Sequence, residues 1–125
     1  MKEPITPSKA PTPIGPYSPI VVARGELLFF SGQIALGPSG QLVGGTVAEQ
    51  TEQICQTINA MLDELGLTME SVVKTTVFLR SMDTFAEMNA VYERYFGASK
   101  PARSTVEVSR LPKDALVEIE LIAVR

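Results

Sequence analysis

A few side chains in this sequence are of types and spacings that could do chemistry together. Arg103 carries a planar guanidinium, whose fork meets a carboxylate through two parallel hydrogen bonds, as the ammonium of lysine cannot. Glu118 and Glu120 are of the type that holds or activates a water beside such a ligand. Thr105 and Glu107 follow Arg103 at two-residue steps, so all three share one face of an extended segment. Alternation predicts Val106 and Val108 toward the helices, and Arg103, Thr105 and Glu107 on the opposite face with Glu118 and Glu120. Two readings of that face stand side by side. One is a cross-strand ion pair between Arg103 and a glutamate that serves the fold alone. The other is a site in which Arg103 grips the carboxylate of a small ligand.

What the sequence lacks narrows the chemistry. It has no histidine and one cysteine, Cys55, so the usual zinc sites and Ser-His or Cys-His nucleophiles cannot be assembled. Acid–base work falls to Asp, Glu, Tyr, Lys or water. Cys55 lies near an apolar helical stripe and reads as a small core residue. Gly37-Pro38-Ser39-Gly40 and Gly44-Gly45 match no phosphate-binding motif, so neither cofactor nor metal is expected. The net charge is −3 and the bases are scattered, which argues against a nucleic-acid partner. No apolar run approaches the roughly 20 residues of a membrane span, and Met1-Lys2-Glu3-Pro4 does not resemble a secretory leader, so no membrane and a cytoplasmic location are expected.

The elements that must position these residues can be read in order. The 125 residues make one domain, 1–125, with an extended proline-rich arm over 1–16. Ile20–Ala23 and Glu26–Phe30, separated by Arg24-Gly25, suggest a hairpin. Ser31-Gly32 ends that strand, where a small residue allows close approach. Thr46-Val47-Ala48-Glu49 is a capping box that opens a helix over about 47–65, closed by Gly66. Residues 71–79 read as a strand. Asp83 caps a second helix with Phe85, Met88, Tyr92 and Phe96 on one side, closed by Gly97. Residues 103–109 and 115–124 are two further strands. The order β-β-β-α-β-α-β-β predicts an α+β fold, one mixed sheet of about six strands with both helices on one face. Ala115, Val117, Ile119, Leu121 and Ala123 should pack on the helices. The opposite row is itself partly apolar, so a homo-oligomer packing through sheet faces is expected. Taken alone, Tyr17 reads as an aromatic anchor of the arm and Asn89 as an exposed helical asparagine.

Four stretches together resemble the YjgF/Rid family of enamine/imine deaminases. They are Pro11 to Ser18 with Gly15-Pro16-Tyr17, Ser31 to Ile34, Phe85 to Phe96, and Pro101-Ala102-Arg103 running on through Leu111-Pro112-Lys113 to Glu118-Ile119-Glu120. The resemblance implies a chorismate-mutase-like homotrimer with sites in the clefts between subunits. It implies Arg103 as the carboxylate ligand and Glu118 as the group that orients the attacking water, with a backbone carbonyl near Thr105. Tyr17 would arrive from the neighbouring subunit, and Ser31 and Asn89 would line the pocket. Many members carry a cysteine where this chain has Thr105. The implied substrates are 2-imino acids such as 2-iminobutanoate and 2-iminopropanoate, released as enamines by pyridoxal-phosphate enzymes and hydrolysed to 2-keto acids and ammonia. A non-catalytic regulator that binds 2-keto acids is the alternative. A ribonuclease or translation inhibitor is a third, opposed by the acidic pI of about 5.0 and the absence of histidine.

Overall fold

In a computed structural model that describes residues 1–125, six strands and two helices run β-β-β-α-β-α-β-β, with the first strand supplied by the arm. The strands are β1 (Lys2–Ile5), β2 (Ile20–Ala23), β3 (Leu27–Gln33), β4 (Val72–Leu79), β5 (Ala102–Glu107) and β6 (Val117–Val124); the helices are α1 (Val47–Glu64) and α2 (Phe85–Phe96). The strands divide between two sheets. β1 and β2 form an antiparallel ribbon, and the main sheet runs β3-β6-β4-β5, with only β4 and β5 parallel. Neither helix is long and apolar enough to cross a membrane.

α1 begins as its capping box dictates. Thr46 accepts from the Glu49 amide, and the Glu49 carboxylate accepts from the Thr46 amide, so two otherwise orphaned donors are satisfied. Gly66 follows the helix at φ +74, the left-handed conformation that ends helices. Val47, Ile54, Ile58 and Leu62 are buried, as are Met88, Tyr92 and Phe96 of α2. These two stripes pack on the inward row of β6, where Val117, Ile119 and Ala123 are fully buried and Leu121 nearly so. Cys55 is buried in the same core, and that burial pushes its thiol up to about 12, so it is a packing residue. Gln50 ties the layers together: its amide donates to the Gly44 carbonyl and its oxygen accepts from the Leu116 amide.

Several local expectations are corrected. The proline-rich arm is not wholly irregular, because Lys2–Ile5 pair with β2, with Pro4 opposite Val21. Proline is tolerated there because the ribbon is all edge. β2 and β3 form no hairpin. Gly25 (φ +127) turns the chain into β3, where Glu26 and Arg125 exchange backbone hydrogen bonds and Leu27 pairs with Val124. α2 is capped differently from the expectation: Ser81 accepts from the Asp83 amide in a short 3₁₀ turn, and Thr84 is the residue that precedes the helix. Gly97 keeps helical angles (φ −64), so it is not a left-handed stop.

The largest correction concerns β5. Its parallel register places Arg103 beside Thr75, Thr105 beside Val77 and Glu107 beside Leu79. Thr75, Val77 and Leu79 are buried against the helices. Arg103 and Thr105 therefore face α2, while Val106 is 43% exposed on the outer side. Glu118 pairs with Phe78 and lies on that outer side. Within one chain the sheet separates Arg103 from Glu118.

The core gives the first prediction. Ile119 is fully buried between the two helices and β4. Ile119→Ala is expected to lower the unfolding free energy by about 2–5 kcal/mol, checked by urea denaturation.

Candidate functional site

The helix side of β5 holds the first half of the site. The Arg103 guanidinium lies over the rings of Tyr92, Phe85 and Tyr17, with its central carbon 4.6, 5.5 and 5.9 Å from their centroids. Phe85, Asn89 and Tyr92 are spaced i, i+4, i+7 on α2, so they present one stripe to it. Nη1 of Arg103 donates to Asn89 Oδ1 at 2.7 Å. Tyr92 is fixed from behind: its hydroxyl is 2.8 Å from Thr75 Oγ1, and its ring stacks on Phe96 at 4.4 Å. Burial pushes the Tyr92 hydroxyl up to about 12, so it stays protonated.

Tyr17 is delivered by the arm of the same chain. Ser18 donates through its amide to the Pro101 carbonyl and through its hydroxyl, at 2.5 Å, to the Lys100 carbonyl. Both acceptors immediately precede β5, so this pair of bonds sets Tyr17 against Arg103. The expectation that Tyr17 meets Arg103 from a neighbouring subunit is corrected on this point: the chain's own Tyr17 is there. Ile14, Gly15, Tyr17, Phe85, Arg103 and Thr105 line a cleft of about 220 Å³. The Thr105 hydroxyl oxygen is buried beside it without a partner, a group that a ligand atom or water would satisfy.

Arg103 makes no salt bridge with any carboxylate. The structural ion-pair reading therefore falls, and Glu107, its neighbour on the strand, accepts instead from the Met82 amide. Burial lowers the guanidinium pKa from its ordinary value, with Tyr92 and Tyr17 acting in the opposite direction. A cation that is partly desolvated and unpaired would gain from an anion brought to it.

The second half lies on the outer face. Phe30 pairs with Leu121 and Gln33 with Ile119, so Ser31 and Gly32 stand together opposite Glu120 in a bulge. Gly32 abuts Glu118: a Cβ there would meet the carboxylate at 2.1 Å. Burial, and then the neighbouring Glu120, raise the Glu118 carboxyl above its ordinary value. Ser31, next to Gly32 in the chain, is exposed, and Leu27 and Phe29 are 51% and 73% exposed on the outer face.

Of the residues expected in the site, Arg103, Asn89, Tyr17 and Thr105 come together; Glu118 lies elsewhere, against Gly32, with Ser31 preceding that glycine in the bulge. Three contributors were missed. Phe85 and Tyr92 read as core stripe, although Asn89 between them on one helical face was a signal that the stripe was not purely core. Gly15, beside Arg103, had no signal beyond its place before Pro16. No cluster of three or more potential metal-ligating side chains is present.

The raised Glu118 pKa sets the sign of a pH effect. A carboxyl raised on folding favours the folded state below its unfolded pKa, and this advantage is lost as pH rises through the folded value. Glu118→Gln is therefore expected to raise the melting temperature at pH 7 relative to the parent. That gain should vanish at pH 4, and thermal unfolding monitored at both values checks it.

The sequence model of the endoribonuclease L-PSP family matches residues 7–125. A RutC family protein of Pyrococcus horikoshii is 52% identical over 124 residues, covering 98% of each chain. The solved structure of a Yersinia pestis protein of the conserved Rid family, YyfA, is 44% identical with a TM-score of 0.76 and covers 100% of both chains. That of Escherichia coli TdcF, solved with bound serine, is 38% identical with a TM-score of 0.73 and covers 98% of both.

Proposed function

The chain belongs to the endoribonuclease L-PSP family, the family of YjgF and Rid proteins, and from that membership and the Arg103 cleft we propose that it is a 2-imino acid deaminase. The observation that carries the proposal is the unpaired, aromatic-caged guanidinium of Arg103 at the wall of a small cleft. The serine bound to TdcF, an amino acid with a carboxylate, supports a ligand of that class.

On this reading, Arg103 fixes the carboxylate of 2-iminobutanoate or 2-iminopropanoate, and Glu118 of a second copy approaches from across the cleft. A trimer of sheets packed face to face would cover the exposed apolar residues Leu27 and Phe29 and bring Ser31 and Glu118 with them. Glu118 takes a proton from water as the oxygen attacks C2 of the protonated imine. The carbinolamine nitrogen then takes that proton back from Glu118, and the C2–N bond breaks as the C2 hydroxyl releases its proton to solvent, giving ammonia and the 2-keto acid. Such imines hydrolyse unaided, so the protein has to supply only positioning and one proton acceptor. No step needs histidine, a metal or a cofactor. The ribonuclease activity in the family name finds little support here: the bases are scattered, and histidine is absent.

Coupled to a threonine dehydratase, the wild-type chain is expected to speed the appearance of 2-oxobutanoate from the imine. Arg103→Ala should lose at least about 100-fold, since a two-bond charged pair is worth roughly 1.5–3 kcal/mol per bond. Arg103→Lys should not restore the rate. Equal rates with and without the wild-type chain would overturn the proposal. Calorimetric binding of 2-oxobutanoate without turnover would instead favour the regulator. The assembly has its own test. Phe29→Glu is expected to shift the sedimentation coefficient to that of one chain and to abolish turnover.

A further inference from the structure

Gly15 has no conformational reason to be glycine. Its φ lies outside the left-handed region, so the backbone there does not exclude an L side chain. What a side chain there would meet is the site. A Cβ on Gly15 would lie 3.3 Å from Nη2 of Arg103 and 3.5–3.6 Å from the ring of Tyr17. Asn89 already occupies one donor of Nη1, on the α2 side. The Nη2 edge, which no hydrogen bond uses, faces Gly15 and the cleft.

We infer that Gly15 is a specificity-determining residue whose missing side chain leaves the approach along which a ligand carboxylate reaches Nη2 of Arg103. The inference rests on the carboxylate-binding reading above and adds the edge of approach and the limit on its width. A Cβ at position 15 would stand in contact with both Nη2 of Arg103 and the Tyr17 ring, so it would take the space beside Nη2 that a carboxylate oxygen needs. The neighbouring turn is held without the glycine: Tyr17 donates its amide to the Gly15 carbonyl at 2.9 Å, a bond that alanine keeps.

The test is a series, Gly15→Ala and Gly15→Val, with Arg103→Ala alongside. Each chain is titrated with 2-oxobutanoate in a calorimeter, assayed for imine turnover and melted. Gly15→Ala is expected to weaken 2-oxobutanoate binding about 10-fold, the low end of what one methylene costs in a tight pocket. KM should rise more than kcat falls, Gly15→Val should lose more, and the melting temperature should stay at the parent value. If the parent binds and Arg103→Ala does not, yet Gly15→Ala binds like the parent, the Gly15 inference alone is overturned. A fall in melting temperature that tracks the loss of binding overturns it too, because the glycine would then serve the fold. If the parent and Arg103→Ala both fail to bind, it is the carboxylate-binding reading that falls.

Discussion

The parallel pairing of β5 with β4 decides which side of the sheet the guanidinium of Arg103 occupies, and the site is built around that choice. Thr75 stands opposite Arg103 and shares its face, so the cation turns toward α2. The same Thr75 holds the Tyr92 hydroxyl, and so one strand residue fixes both the position of the cation and the ring beneath it. A one-residue slip would send Arg103 to the outer face and break this arrangement completely, because side chains alternate with a period of two. The register is anchored at its start by Ser18, which reaches the last two carbonyls before the strand. The arm that carries Tyr17 is thus joined to the strand that carries Arg103.

Partly burying an unpaired guanidinium carries a free-energy cost, and the surroundings offset only part of it. Three aromatic faces contribute about 0.5–2 kcal/mol each at most, and the Asn89 bond contributes a neutral acceptor, not a charge. A glutamate at position 89 or 105 would have neutralised the cation within the fold. The chain instead has an amide at one and a hydroxyl at the other, with the hydroxyl unpartnered. An arrangement that withholds a counter-charge from a desolvated cation gains most when an anion is supplied from outside.

Much of this architecture was legible in the sequence, because helix boundaries are written locally. The capping box at Thr46, the glycine after α1 and the apolar stripes specify elements through contacts a few residues apart. The inward row of β6 was legible for the same reason. What failed was non-local. Nothing near Arg24-Gly25 reveals that β3 will pair with the last strand instead of β2. The facing of β5 failed for a subtler reason. Alternation divides a strand into two faces but does not say which is inside, and where both faces of a sheet are partly apolar the apolar row of an edge strand does not mark the inner one. Phe29, Leu27 and Val106 are the exposed apolar residues of that outer face. Arg103 and Glu118 belong to one resemblance, and alternation placed them wrongly as neighbours on one face.

On the proposed reading, the sheet that lies between Arg103 and Glu118 separates binding from turnover. The Arg103 half of the site is assembled within one chain, since Tyr17, Phe85, Asn89, Tyr92 and Thr105 all reach it unaided. On the proposed reading, gripping a carboxylate then needs only one chain, whereas hydrolysis needs a second copy to present Glu118. Packing a second copy on the outer face would do more than deliver that residue. The Glu118 carboxyl is already raised, first by burial and then by Glu120. Covering the face would remove more water from it and move it further in the same direction. Assembly would therefore both position the proton acceptor and adjust its basicity, leaving the isolated chain a binder and the assembled protein a catalyst.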